Sequence, residues 1–385
     1  MSLRVVVVGA GAAGLSSAWA AAELGADVTV VERQYAASGS SGLSAGILNR
    51  QVADRQDRAL RSLSMAVLDA LADDGLLTIH RCGYLRLART PEQWQAMQQA
   101  VMEAAEGLSR AVSADEVLRL VPGVRVDDVL GAMYGPHDGH VDGPELCSAY
   151  LSRGRSLGVR VLSGQRLVRV DASSSVIQLT AQDGTDVQAD VVINAAGPWL
   201  GEVAELLGVS TPMASQRHAI CIARVPQLDD VSIPTVQTYV PGDAGSSVYA
   251  RPEGPGVVLA GLHSYATDGT SVDPDAPAEV ISGSHLAEVA SALADRFPGW
   301  HDATLRPGWT GIYPMAVDGR PVIGPHAEDP RIVSCGGLGG VGLTISGAVG
   351  RMAAQWAVHG QCDAVDFASS YLPDRLASRG VDVRI

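Results

Sequence analysis

Val5-Val6-Val7-Val8-Gly9-Ala10-Gly11-Ala12-Ala13-Gly14, followed eighteen residues later by Glu32, is the stretch that decides the fold. Four consecutive β-branched residues read as a strand buried in a parallel sheet. The Gly-x-Gly-x-x-Gly turn then opens an Ala-rich helix that runs to Leu24 and stops at Gly25. A second apolar strand over 27–31 ends on Glu32. Each glycine has its own duty: Gly9 makes the tight turn, Gly11 lets the backbone approach a pyrophosphate, and Gly14 allows close helix–strand packing. The helix N-terminus offers free N–H groups and a positive dipole end to phosphate. Glu32 stands where a carboxylate accepts hydrogen bonds from ribose hydroxyls, and no arginine replaces it for a 2′-phosphate. Strand, turn, helix and acid together predict a dinucleotide site, and leave open whether the dinucleotide is NAD or FAD.

Composition narrows the chemistry. A chain of 385 residues exceeds one small core and predicts two domains. Its 46% hydrophobic content fits an α/β protein, and no apolar run reaches the roughly 18 residues of a membrane span. The first strand begins near Leu3, which leaves no room for a signal peptide. Five scattered cysteines, Cys82, Cys147, Cys221, Cys335 and Cys362, contain no CxxC pair. They predict neither a disulfide scaffold nor a zinc site, and point to a reducing, cytoplasmic compartment. A net charge of −14 argues against a nucleic-acid surface. The chain contains no lysine, so all 28 basic residues are arginines. Schiff-base, Walker A and lysine general-base chemistry are thereby excluded.

Beyond Glu32 the pattern is interleaved, with no visible linker or repeat. A small-residue loop covers 36–46, a helix 54–72 and an alternating strand 83–88. Residues 91–120 read as helices, with capping starts at Pro91-Glu92 and Ser113-Ala114-Asp115-Glu116. A helix over 144–157 leads into a strand at 158–162, and two antiparallel strands follow, around Val168 and at 176–179. Residues 187–194 read as one buried strand ending in Ala195-Ala196-Gly197-Pro198-Trp199. Strands and turns fill 217–262, a helix follows at 285–296, and α/β character returns from Gly319. The second glycine run, Gly337-x-Gly339-x-x-Gly342, lies between a strand at 331–335 and a helix starting near Thr344. No strand ending in an acid follows it, so it reads as a close backbone approach to the first cofactor. Its helix N-terminus would face a group that becomes negative, as a flavin ring does on reduction.

These residues resemble the D-amino-acid-oxidase-like family of FAD-dependent oxidoreductases, which includes glycine oxidase, sarcosine oxidase β and dye-linked proline dehydrogenase β. The resemblance covers essentially the whole chain. It rests on the 9–33 fingerprint, on Ser40-Ser41-Gly42-Leu43-Ser44-Ala45-Gly46-Ile47, and on Val191-Val192-Ile193-Asn194-Ala195-Ala196-Gly197-Pro198-Trp199. It also rests on Tyr249-Ala250-Arg251-Pro252, on Gly308-Trp309-Thr310-Gly311 continuing to Gly324, and on the glycine run 336–342. It implies a doubly wound, Rossmann-like FAD-binding domain in segments 1–80, 145–214 and 307–385. A substrate domain with a mainly antiparallel β-sheet would take 81–144 and 215–306. FAD would lie against Gly9, Ala10, Gly11, Ala12, Ala13 and Gly14, Glu32 and Arg33, and Ser40, Ser41, Leu43, Ser44, Ala45 and Gly46. Val168, Ala195, Ala196, Gly197, Trp199 and Gly311 would follow, then Gly337, Gly339, Gly340, Val341, Gly342, Leu343 and Thr344.

Departures from the family pattern carry as much. Leu43 stands where some members attach flavin through histidine, and no cysteine lies in 309–324, so FAD is expected to be noncovalent. The lysine before Gly261 that activates oxygen in sarcosine oxidase is absent, and its carboxylate-holding lysine corresponds to Thr344. The preferred electron acceptor is therefore a quinone, an electron-transfer protein or a partner subunit, with O2 as the alternative. The resemblance implies oxidation of the C–N bond of a small amino or imino acid, secondary or N-methylated members included. An alkylamine sits about three units above neutral pH, so supplying the reactive neutral form costs about 4 kcal/mol. His263 is the candidate to assist that proton. Tyr249 and Arg251 alternate on one strand and share a face, where they could bind a carboxylate. Arg50 is the competing clamp, and Tyr313 lies near the flavin by family position. Pro136-His137-Asp138-Gly139-His140 has metal-ligand composition but reads as a turn. Three alternatives stand: a catalytic β subunit of a heteromeric amine or proline dehydrogenase, a 2-hydroxyacid-type oxidoreductase, and a flavin-binding regulatory protein without turnover.

Overall fold

The computed structural model describes residues 2–238, 247–263 and 271–376. Strand Arg4–Val8, buried throughout its valines, pairs in parallel with Asp27–Glu32 on one side and Val191–Asn194 on the other. Arg160–Ser163 extends the sheet in parallel beyond Asp27–Glu32, and Ile332–Gly336 does so beyond Val191–Asn194. Val322–Pro325 closes the edge antiparallel, completing six strands. Helices Ala12–Glu23, Arg55–Asp73, Gly143–Ser156 and Gly342–His359 bury their apolar residues with one face of this sheet. The other face is covered by the three-stranded sheet Leu167–Asp171, Ile177–Ala181 and Asp186–Ala189 and by helix Leu200–Leu206. Covering on both faces is what the uninterrupted valine run requires.

The strand expected over 187–194 is two strands. Asp186–Ala189 belongs to the small antiparallel sheet and Val191–Asn194 to the parallel one. The break falls at Asp190, whose carboxylate accepts the Arg4 N–H at 2.9 Å and also binds the Arg4 guanidinium. One acid thus bends an otherwise apolar run from one sheet into the next.

The second layer is an eight-stranded sheet in the order Thr304–Tyr313, Gln216–Arg224, Val257–His263, Ser247–Gly254, Thr235–Gln237, Tyr84–Ala88, Gly131–Gly135 and Arg110–Val112. Its pairings are antiparallel except that of Thr235–Gln237 with Tyr84–Ala88. Val248, Ala250, Val258 and Ala260 pack with Val289 and Leu293 of helix Gly283–Arg296 on one face. Strand alternation therefore turns Tyr249 and Arg251 to the opposite face. The helices expected over 91–120 are Pro91–Glu103, with a Thr90/Gln93 capping box, and Ala114–Leu120, capped by Ser113. No helix among the described residues is long and apolar enough to cross a membrane.

Candidate functional site

A cleft opens at the C-terminal ends of the parallel strands, and its far wall is the second sheet. It contains about 1650 Å3 free of protein atoms, its open mouth included. Two helices begin at its floor. Ala12–Glu23 and Gly342–His359 carry no acid in the first turn, and neither has a side-chain cap. Gly11, Ala12, Ala13, Gly342 and Leu343 all face the cleft, so two positive helix ends open into it.

The turn from the first strand into the first helix is shaped by what a side chain would strike. Gly9 has φ +105°, and a Cβ there would lie 2.5 Å from the Ala195 carbonyl oxygen. A Cβ on Gly14 would lie 2.0 Å from the Gly9 oxygen. A Cβ on Gly11, by contrast, would meet only Ser41 Oγ, at 3.2 Å, within 4 Å. Gly9 and Gly14 are therefore held by packing, whereas Gly11 leaves backbone bare toward the cleft, as a pyrophosphate requires. The residues present fit a dinucleotide.

Beside the glycine turn Glu32 is buried, with Oε2 accepting the Ala10 N–H at 2.8 Å and Oε1 the Gln34 N–H at 2.7 Å. Its carboxylate holds the turn to the second strand while bordering the cleft. Arg33 lies over the Trp199 ring, 4.3 Å from its centroid. Asp275, from the segment before helix Gly283–Arg296, accepts from Arg33 at 2.9 Å and from Trp199 Nε1 at 3.0 Å. Arg166 and Glu202, paired at 2.6 Å, complete this rim. Loop 40–46 is stitched to the second sheet, since Ser40 Oγ donates to the Ile312 oxygen at 2.6 Å and Trp309 Nε1 to the Leu43 oxygen at 2.9 Å.

The opposite end is walled by Tyr249, Tyr313 and His218 with Ala219, Ile220 and Leu262. Tyr249 lies across Gly261, where a Cβ would be 2.8 Å from the ring. Burial and the neighbouring Tyr313 push the Tyr249 hydroxyl well above the ordinary phenol range, so it stays protonated. His218 stacks on Tyr313 with ring centroids 3.9 Å apart and planes 21° from parallel. Burial, with a smaller contribution from His285, pushes His218 down to about 4, so its imidazole is neutral at neutral pH.

Of the predicted cofactor contacts, Gly9, Gly11, Ala12, Ala13, Glu32, Arg33, Ser40, Ser41, Leu43, Ser44, Ala45, Ala195, Ala196, Gly197, Trp199, Gly311, Gly339, Gly340, Gly342 and Leu343 line the cleft. Ala10, Gly14, Gly46, Gly337 and Val341 stand behind that lining. Val168 is 47% exposed, and the lining residue is its neighbour Leu167. Thr344 turns its hydroxyl away to the Ile47 oxygen, at 2.8 Å.

Neither proposed arginine clamp lines the cleft. Arg50 is held by Asp138 at 3.2 Å and Asp69 at 3.3 Å, and Arg251 by Glu253 and the Pro252 oxygen. Both guanidiniums are buried and committed to carboxylates. His263 is a strand residue opposite Ser247, and its side chain lies outside the described residues. Asp138 is a buried carboxylate serving Arg50 and Gln51, and no metal-holding group occurs among the described residues. The cleft lining outside the predicted set includes His218, Ala219, Ile220, Leu262, Gln165, Arg166 and Glu202. His218 lies opposite Gly311 in the sheet, a pairing that only the structure reveals.

Comparison with known proteins places this geometry. A family profile described as FAD dependent oxidoreductase (DAO) matches residues 4–356. Glycine oxidase of Geobacillus kaustophilus (strain HTA426) is 26% identical, covering 98% of this chain and 98% of its own. Mitochondrial dimethylglycine dehydrogenase of Rattus norvegicus is 24% identical over 93% of this chain and 43% of its own length, so the chain spans less than half of that relative. The crystal structure of L-proline dehydrogenase from P. horikoshii superposes with TM-score 0.85 at 21% identity, covering 98% of both chains.

Proposed function

The chain belongs to the DAO family of FAD-dependent oxidoreductases, and on that premise we propose that it oxidises the C–N bond of a small amino or imino acid. The observation that carries the reading is one continuous cleft. It joins an uncapped helix end and a ribose-side carboxylate to a wall of neutral aromatic groups on a separate sheet. Gly9, Gly11, Ala12 and Ala13 would hold the pyrophosphate of FAD, Glu32, Arg33 and Trp199 its adenosine, and Gly339, Gly340, Gly342 and Leu343 its ring. Bound FAD would supply the two-electron oxidant for the C–N bond, the amine becoming an imine that water hydrolyses. The chain's own residues receive the amine. Tyr249, kept protonated, can donate a hydrogen bond to substrate, and the apolar residues Ala219, Ile220 and Leu262 reduce water around the nitrogen. Both effects disfavour the ammonium form and lower the roughly 4 kcal/mol deprotonation cost.

The acceptor we propose is a quinone, an electron-transfer protein or a partner subunit, because a lysine-free chain lacks the ammonium group that activates oxygen in sarcosine oxidase. The test is anaerobic mixing with N-methyl, cyclic imino, D- and L-amino acids while flavin absorbance is followed. Bleaching by at least one amine supports the reading. Bleaching only by 2-hydroxyacids, or by nothing, sinks it, and the latter favours a regulatory flavoprotein. Rapid reoxidation of the reduced protein by air, with no advantage for a dye, would overturn the choice of acceptor.

A further inference from the structure

Tyr313 is the last residue of Thr304–Tyr313, the edge strand of the eight-stranded sheet, so the ladder holds it from one side only. Pro314 follows directly and ends the strand. The ring nevertheless occupies one place against the glycine run. A Cβ on Gly340 would lie 2.5 Å from Tyr313 Cε2 and 3.0 Å from its hydroxyl. The neighbouring strand supplies the restraint. His218 is registered opposite Gly311 and Gln216 opposite Tyr313. The imidazole lies diagonally along the pair on the Tyr313 ring, the geometry by which aromatic residues meet across strands. The only groups a Cβ on Gly311 would meet belong to Leu43, at 3.3 Å and 3.5 Å, on the loop that the same strand anchors.

We propose that His218 is a positioning residue: stacked on Tyr313, it fixes the plane of that ring against Gly340 and so sets the shape of the amine-facing wall. The inference rests on the reading of this cleft as an amine-oxidising site, and it assigns His218 no proton transfer. What matters is a planar ring at this position, not its nitrogens. His218 Nε2 also lies 3.4 Å from Gln216 Oε1, a contact that His218→Phe removes while keeping the ring.

Two substitutions separate the possibilities. His218→Phe keeps a planar ring without ring nitrogens, and His218→Val keeps the strand without a ring. Crystal structures of both FAD-loaded variants are expected to show Tyr313 in place over Gly340 in H218F and displaced in H218V. On an amine that bleaches the wild-type flavin, H218V should lower kcat/KM about three- to tenfold, the size an aromatic pair carries. H218F should restore most of that loss. In a Tyr313→Ala background H218V should then cost little more, because the residue it acts through is gone. Tyr313 unmoved in H218V, H218F as impaired as H218V, or additive losses in the double variant would each overturn the proposal. If no amine bleaches the wild type, the functional reading fails while the two crystal structures still decide this one.

Discussion

At the scale of single residues, the histidines set a prediction about acid. Burial is the main cause holding His140 down to about 3 and His218 down to about 4, and it also lowers His326. In the unfolded chain these imidazoles protonate near pH 6.5, whereas in the folded one they remain neutral there. Between about pH 4.5 and 6.5 the unfolded state therefore binds more protons, so stability rises with pH and falls on acidification. Urea unfolding should give a lower unfolding free energy at pH 5 than at pH 7, and His140→Gln should flatten that slope. Equal stabilities at the two pH values would contradict the burial of neutral histidines. The arginines teach the reverse lesson. Residue type predicted carboxylate clamps at Arg50 and Arg251, but their carboxylates come from Asp138, Asp69 and Glu253 of the same chain. An arginine's partner is set by three-dimensional neighbours that spacing along a strand does not reveal.

At the scale of elements, the clearest contact is between the first helix and the last. Ala12–Glu23 and Gly342–His359 approach so closely that a Cβ on Gly350 would lie 2.1 Å from Ser16 Oγ and 2.7 Å from the Ser16 carbonyl carbon. The first helix is built from small residues, and Ala18 and Ala21 join the same core as Ala348, Val349 and Met352. Gly350→Ala should destabilise the protein by about 1–3 kcal/mol, the cost of overpacking a tight contact, measured as a lower urea midpoint. A variant as stable as the parent would mean that the two helices can move apart freely. This scale also shows where periodicity stops informing. The period-2 pattern located the strand near Val168 but left its phase open, and the phase placed Leu167 at the cleft. The second glycine run was legible as a turn feeding a helix. The helix begins at Gly342 after a short 3-10 turn, Gly339–Val341, slightly before the predicted start near Thr344.

At the scale of the whole molecule, Asp275 joins parts that are distant along the chain. It bonds Arg33, next to the buried Glu32, and Trp199, just after strand Val191–Asn194, at the mouth of the cleft. Both charges are partly exposed, so the pair contributes about 0.2–1 kcal/mol. Asp275→Ala should therefore lower the unfolding free energy by no more than about 1 kcal/mol and, by freeing Arg33 and Trp199 at the rim, speed FAD release up to about fivefold, followed as recovery of free-FAD fluorescence. Unchanged release would mean that the rim does not retain the cofactor.

The sequence alone determined the nucleotide end of this protein. A valine run, three glycines at set spacing and one acid are a local structure with local causes, namely steric limits on the turn and unsatisfied N–H groups at a helix start. It also determined that no lysine takes part, since absence from the chain holds in any fold. The far end was decided only by tertiary structure. His218, Tyr313 and Tyr249 come to one wall because strands distant in sequence align in one sheet, and Gly261 leaves the space for the Tyr249 ring. Such contacts depend on register between strands, which single-strand patterning leaves open. The glycine turn and its helix start were legible for that reason, and the aromatic wall of the cleft was not.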